Sequence, residues 1–430
     1  MNGLFSWTPA LTGVVCLLTS SVARAAGDGD LARMQDELNR TKTELAATRA
    51  ELGSTRDALS RLADKVASLE AARGSGAAAA PGAAAGPRLA PVNADNPAIS
   101  FVVDTELATG NENPGWDFSL QNGELFVSAP VDPFLRGYAS INGTSDAGFD
   151  IEEAALVTTS LPWNLTVKGG RFFSNVGRMP HWHDEALPFV RRPESIDRFF
   201  GGETISEGAE VTWLAPTDHF IQVTAGLYDA IGGQNFDQLQ ENGFEGQRSF
   251  NELTWLVHPS TYFDLTDTLN LEVGGTYFGV PQDGTRNLFG VDVTLRHQPG
   301  TSGFYQGLVL GSEWYWNDER FQDVAQGFDP ATGEAILGAE RYRRNGGYAY
   351  VEGFFGRRYS AGLLGDLAED VAGPTARQRT LSVFATWMPS EFQRLRLQAD
   401  EIHESGDDNY RLTLQWTAFL GSHSHGFAAR

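Results

Sequence analysis

The chain has 430 residues, a formal net charge of −23, 48 glycines and one cysteine. The negative charge disfavours nucleic acid as a partner and favours cations, and a lone cysteine excludes a disulfide framework. Composition shifts near residues 30, 74 and 97, so the chain reads as four segments in series.

From Leu11 to Leu18 the N-terminus is nearly all apolar, and Ala23-Arg24-Ala25 precedes Ala26 in the small-x-small pattern read by a signal peptidase. Residues 1–25 are therefore expected to be a secretory signal, with the amino terminus supplying the positive charge ahead of the apolar core. Cys16 lies inside that core, and Gly13-Val14-Val15 before it does not fit a lipoprotein signal. The mature chain is expected to hold no cysteine, which suits passage through an oxidising periplasm. Beyond the signal no stretch reaches the ~18 consecutive apolar residues of a spanning helix. Membrane crossing has to use strands.

From Leu31 apolar residues recur every seven positions, at Leu31, Leu38, Leu45, Leu52, Leu59 and Val66, with Met34, Thr41, Thr48, Thr55, Leu62 and Leu69 three places later. These are the a and d positions of a coiled coil. Glu37, Glu44, Glu51 and Lys65 fall at g, and Lys42, Arg49, Arg56 and Glu70 at the following e, so each pair is of opposite sign in a parallel in-register bundle. The alternative, a single solvated helix held by i,i+4 pairs, needs no leucine repeat. Residues 28–73 are thus expected to be a stalk of parallel helices from identical chains. Roughly forty residues at about 1.5 Å rise give a rod of about 60 Å. Residues 74–96, rich in Ala, Gly and Pro, read as a flexible tether.

From Pro97 onward the pattern becomes period two. Phe289, Val291, Val293 and Leu295 alternate with Gly290, Asp292, Thr294 and Arg296, and Leu412, Leu414, Trp416 and Ala418 alternate with Arg411, Thr413, Gln415 and Thr417. Such strands can face lipid on one side and water on the other. Runs of this kind lie near 97–108, 117–128, 132–143, 149–159, 163–173, 206–214, 219–228, 247–258, 267–280, 287–297, 304–317, 345–356, 359–368, 376–388, 392–403 and 408–420. The expected fold is an all-β transmembrane β-barrel of about sixteen antiparallel strands over residues 97–430, preceded by the α-helical parallel coiled coil.

The connections support that count. With the first strand running outward, the even turns read APVDPF, SLPWN, LAPTDHF, HPSTYFDLTD, QPGTSG, GRR and MPSEF, nearly all short, while the odd connections include the three longest, about 174–205, 229–246 and 318–344. Short periplasmic turns and long outside loops are the habit of bacterial outer-membrane barrels. Trp314, Trp316, Trp387, Trp416 and Phe419 sit near run ends, as interface girdles do. A soluble all-β protein also alternates, but it explains neither the signal nor the asymmetry of the turns.

The runs VKGGRFFSNVG at 167–177, HWHDEALPFVRRP at 181–193, WLAPTD at 213–218 and FLGSHSHGF at 419–427 resemble a family of porin-like proteins called zinc-regulated TonB-dependent outer-membrane receptors. The stalk-and-barrel layout is similar to DcaP-like trimeric porins. The resemblance implies an outer-membrane barrel that assembles as a trimer. The chain departs from true TonB-dependent receptors, which have a large N-terminal plug and about twenty-two strands, so energised uptake is not part of the expectation.

In trimeric porins the third outside loop folds into the lumen and sets its width. Here that loop is 174–205, and its Arg178, Asp184, Glu185, Arg191, Arg192, Glu194 and Arg198 are mixed in sign. Opposed charges across a narrow opening order small polar solutes and screen ions; a solvated surface loop is the plain alternative. His181, His183, Asp184 and Glu185 form a candidate metal set, for which zinc is the candidate ion, against hydrogen-bonding or loop-packing roles for the same residues. His423 and His425 form a second pair after the last strand. By phase, Lys168, Glu272, Asp292, Arg296, Arg394, Arg396 and Arg411 should line the pore, since Arg or Lys against lipid costs about 2–4 kcal/mol near the midplane.

The sequence carries no nucleophile–base motif, phosphate loop, nucleotide fingerprint or zinc-protease helix, and no cofactor is required. The combined expectation is an outer-membrane porin for passive diffusion of small hydrophilic solutes or ions, its stalk in the periplasm, bathed in membrane lipid and lipopolysaccharide. The alternative is an anchor or binding barrel whose stalk or outside loops engage a partner such as the cell wall. Small threonines at d favour three chains, so sedimentation in detergent is expected to give a trimer that falls apart when residues 28–73 are removed. A monomer with the stalk intact would refute the coiled-coil reading.

Overall fold

The computed structural model describes residues 97–112, 114–144, 148–229, 253–279, 286–299, 306–328, 333–371 and 376–421. The expected signal, stalk and tether, most of the second long loop, and His423 and His425 lie outside the described residues. Sixteen strands run in chain order: β1 (Ala98–Gly110), β2 (Asp117–Asp132), β3 (Leu135–Thr144), β4 (Gly148–Thr158), β5 (Leu165–Phe173), β6 (Ile205–Leu214), β7 (Phe220–Tyr228), β8 (Thr254–Thr266), β9 (Leu269–Gly279), β10 (Arg286–His297), β11 (Gln306–Phe328), β12 (Ala335–Phe355), β13 (Tyr359–Glu369), β14 (Arg377–Ser390), β15 (Gln393–Glu404) and β16 (Asp407–Gly421).

Each strand pairs antiparallel with its chain neighbours, and β1 closes on β16 from Ser100 opposite Gly421 to Gly110 opposite Arg411. Closure leaves no free strand edge, which a sheet in hydrocarbon needs because lipid offers no hydrogen-bonding partner. Side chains are sorted by the pleat. On β10, Phe289, Val291 and Val293 point outward, Phe289 with 54% of its surface exposed, while Asp292 between them is 2% exposed. On β16, Leu412, Leu414 and Trp416 are outside and Thr413, Gln415 and Thr417 are buried. An apolar exterior around a charged interior is the reverse of a water-soluble protein and is the partition a lipid-embedded barrel requires.

Several boundaries differ from the expectation for physical reasons. The expected loop 318–344 is largely a hairpin: β11 runs on to Phe328 and β12 begins at Ala335. Its charged residues pair across the strands, with Arg341 Nε 2.5 Å and Arg343 Nε 3.2 Å from Asp318. An apolar–polar alternation stops being visible once the outward face no longer meets lipid, although the ladder continues. In the same way β8 extends through HPSTYFDLT, with Pro259 at a position where the register to β9 passes from Val257 directly to Ser260; proline has no N–H to give the ladder. Phe419, expected in the girdle, takes the inward phase and is buried, whereas Trp316, Trp387 and Trp416 are exposed outward.

Replacing Val291 with Arg is expected to lower the folding stability of the barrel in lipid by about 2–4 kcal/mol, and Val291→Leu to be near neutral. Reversible urea unfolding in phospholipid vesicles measures both, and equal stability of the two variants would contradict the assignment of this face to lipid.

Candidate functional site

The 174–204 segment, between β5 and β6, folds into the barrel. It leaves the end of the barrel that carries the odd-numbered connections, descends along the wall, comes close to the short-turn end around Leu187, and returns through a short helix, α1 (Glu194–Phe200). That helix follows Pro193 and ends on Gly201, whose φ of 73° and N–H bonded to Asp197 O at 2.7 Å make a left-handed cap. Arg198 and Glu194 bridge one turn at 2.7 Å.

The reason this polar-looking segment enters the lumen is its apolar content. Val176, Met179, Leu187, Phe189, Ile196, Phe199 and Phe200 are buried with wall residues Tyr228, Phe278, Tyr315, Tyr348, Tyr350 and Phe384. Phe189 meets Tyr350 and Phe384 at ring distances of 5.6 and 6.0 Å, and Phe200 meets Phe278 and Tyr315 at 5.8 and 5.2 Å. Each such side chain removed from water contributes about 1.5–3 kcal/mol. The wall supplies inward aromatics at these points, a break in its polar phase that alternation did not foretell.

Backbone groups of the segment are matched to charged wall side chains. Glu313 on β11 accepts the N–H of Arg178 at 3.1 Å and of Met179 at 2.7 Å, and also the hydroxyls of Tyr315 and Tyr348. Gly177 donates its N–H to Thr276 at 2.9 Å. Its φ is +55°, and a Cβ there would collide with the Glu313 carboxylate and the Tyr315 hydroxyl, so only glycine fits this approach. Arg396 donates to Phe189 O at 2.6 Å and Leu187 O at 2.9 Å, while Gln398 accepts the Val190 N–H at 2.8 Å. Ser195 donates to Asp366 at 2.6 Å, and Arg286 donates to Phe199 O.

The charged residues anticipated along the pore stand in different company. Arg394 and Arg396 are almost wholly buried, covered by the segment. Arg192 staples the segment to itself, donating to Trp182 O at 2.8 Å, Pro180 O at 3.2 Å and Asp184 at 2.7 Å. Arg191 pairs with Glu106 on β1 at 2.8 Å, Lys168 with Glu210 on β6 at 3.1 Å, and Arg198 with Glu404 at 2.6 Å and with Asp370. Arg178 and Arg296 share Glu272 at 3.2 and 2.8 Å.

Two polar recesses flank the segment. One, about 310 Å³, opens among Arg178, His181, His258, Glu272, Asp292 and Arg296, with His258 Nε2 3.3 Å from Asp292. The other, about 220 Å³, is lined by Arg191, Arg411, Glu112, Asp117 and Tyr410 toward the odd-connection end.

The candidate metal set is divided by the fold. His181 faces the larger recess, and burial, the neighbouring His258 and the charges of Lys168 and Arg178 push its imidazole down to about 3. Asp184 goes to Arg192. His183 and Glu185 turn instead into a buried group with Glu124 on β2 and Glu152 and Glu153 on β4. Burial by itself would depress His183, but hydrogen bonds to Glu152 and Glu153 and the charges of Glu124 and Glu185 hold it well above the ordinary imidazole range. These wall carboxylates escaped the sequence reading: Glu152 and Glu153 are adjacent, both buried, and the register of β4 on β3 shifts between Ser140 and Ile141. A bulge is what lets two neighbours point inward, and adjacent Glu residues inside an alternating run were its only trace.

No family model matches the chain. An uncharacterised protein of Aquifex aeolicus is 28% identical over 353 residues, covering 74% of this chain and 71% of its own length. Among solved structures, OprB of Pseudomonas putida is similar with a TM-score of 0.48 at 10% identity, over 75% of this chain and 94% of that one. The trimer form of OmpT, an outer membrane protein of Vibrio cholerae, gives 0.46 at 10% over 75% and 99%. The outer membrane protein OpdK of Pseudomonas aeruginosa gives 0.44 at 9% over 76% and 100%.

Glu313→Ala would leave two backbone and two tyrosine donors without their acceptor, at about 1–3 kcal/mol for each one left unsatisfied, and Gly177→Ala would force the same contact apart. Both variants are expected to expose 174–204 to limited proteolysis while the barrel stays resistant. Protection equal to the wild type would remove Glu313 as the anchor.

Proposed function

We propose that the protein is an outer-membrane channel for passive diffusion of small hydrophilic solutes or ions, with 174–204 as its constriction. The observation that carries this reading is a lumen lined by charge and crossed by one docked segment with a polar recess on either side. Arg178 and Arg296 stand against Glu272 and Asp292 in one recess, and Arg191 and Arg411 against Glu112 and Asp117 in the other. Such mixed-sign walls select by charge and orientation of the solute rather than by chemistry performed on it. Catalysis has no part in this reading.

In this proposal the short turns face the periplasm and the long connections the outside. Residues 1–25 act as the export signal, 28–73 join the chains through a periplasmic coiled coil, and 74–96 tether it. The resemblance to DcaP-like trimeric porins belongs to the same proposal. A second reading has one specific support: Phe189, Phe199 and Phe200 of the inserted segment form an apolar core with wall aromatics inside the barrel. A barrel closed in this way would serve as an anchor, with stalk or outside loops engaging a partner such as the cell wall.

Purified protein in planar bilayers is expected to give stepwise single-channel currents. Arg396→Met, which takes the donors from the Leu187 and Phe189 carbonyls, is expected to give larger and noisier steps. No steps at any voltage would sink the channel in favour of the anchor.

A further inference from the structure

Where the inserted segment meets β2 and β4, five buried side chains converge that diffusion through the barrel does not use. Glu124 comes from β2, Glu152 and Glu153 from β4, and His183 and Glu185 from the segment. One donor atom each of Glu124, His183 and Glu185 lies within 4.8 Å of the others. His183 Nδ1 is 3.6 Å from Glu124 Oε2 and 3.3 Å from Glu152 Oε2. On the other side of the ring, His183 Nε2 is 3.1 Å from Glu153 Oε2.

Two observations set this group apart from an ordinary ion pair. The first is charge. Four carboxylates surround one imidazole in a place closed to water, and the nearby cations are engaged elsewhere: Arg192 lies 2.7 Å from Asp184 and 3.7 Å from Glu203, and Lys168 lies 3.1 Å from Glu210. Carboxylates buried together need a compensating cation or a proton. The second is an unanswered acceptor. Glu124 is wholly buried, its Oε1 accepts the Ser140 hydroxyl at 2.8 Å, and its Oε2, aimed at His183, accepts no hydrogen bond. A buried oxygen of this kind calls for a partner.

We propose that Glu124, His183 and Glu185 bind a divalent transition-metal ion, with Glu152 beside them as a further carboxylate ligand. Glu153 positions the ring by accepting from Nε2–H, and the ion would take the place of the proton that Nδ1 otherwise turns toward the carboxylates, the arrangement that orients a ligating histidine. Glu153 is itself fixed by the Phe173 N–H and the Tyr138 hydroxyl, each at 3.1 Å. The ligand carboxylates are held in turn, Ser140 bridging Glu124 and Glu152 at 2.8 and 3.1 Å. One imidazole with several carboxylates suits Zn²⁺, Co²⁺ or Mn²⁺ better than Ca²⁺ or Mg²⁺, which take oxygen alone, or Cu⁺, which takes sulfur. The ion would tie the inserted segment to β2 and β4. The proposal concerns the folded barrel whether or not it conducts.

The test uses the full chain without a polyhistidine tag, stripped with chelator in detergent and titrated with Zn²⁺ by calorimetry. Wild type and His181→Ala are expected to bind one Zn²⁺ per chain with the same affinity. Glu124→Gln, Glu185→Gln and Glu153→Gln are expected to bind at least about tenfold more weakly. Co²⁺ added to the wild type should give visible d–d absorption that saturates at one equivalent, a readout that needs no variant to fold. Wild-type Zn²⁺ uptake no greater than that of Glu124→Gln, loss of binding in His181→Ala, or the absence of a saturable Co²⁺ spectrum would each overturn the site.

Discussion

Everything in this molecule follows from closing a strongly charged sheet in a medium that solvates neither backbone nor charge. The pairing of β1 with β16 removes the last free edge, and the pleat then has one place for each kind of side chain. Phe289, Val291, Leu412 and Trp416 go outward and Asp292 goes inward, while Phe278, Tyr315 and Phe384 turn inward where the segment docks. The lumen therefore receives charge of both signs, and the inserted segment pairs with part of it, Arg178 with Glu272, Arg191 with Glu106 and Arg198 with Glu404.

The segment behaves as a second folding unit that has the barrel wall as its partner. Its apolar residues form a small core with inward tyrosines and phenylalanines, while its backbone is matched to Glu313, Arg396, Gln398 and Asp366. Anchors on β11, β13 and β15 hold it along one arc of the wall, and the pair of Arg191 with Glu106 ties it to β1. Arg394 and Arg396, which a purely polar lumen would leave facing water, are covered by it.

The fate of the His-x-His motif shows how strongly position overrides spacing. Two residues apart, across a turn in which Trp182 donates its N–H to Met179 O, His181 and His183 enter opposite electrostatic surroundings, the first near Lys168 and Arg178 at a recess and the second among carboxylates behind the segment. The bulge on β4 produces this division, because it turns both Glu152 and Glu153 toward the same ring.

The fold was largely legible in the residues themselves. A side-chain period of two is a local property, so sixteen runs could be counted, and turn lengths follow from how far consecutive strands must be joined. Inward placement of Asp292, Arg296 and Arg394 followed from the same phase. What alternation hid were the stretches where its cause is absent: the hairpin of β11 and β12 beyond the apolar belt, and Phe419, an apolar residue inside. The composition of the candidate site was hidden for a different reason. Glu124, His183 and Glu185 are brought together by strands β2 and β4 and a segment that leaves β5, and contacts between distant parts of a chain leave no period to read. The sequence by itself determined that charge had to fill the barrel. Only the tertiary structure, through one bulge and one inserted segment, decided which charges meet, because that depends on register and packing between elements rather than on the order of residues within them.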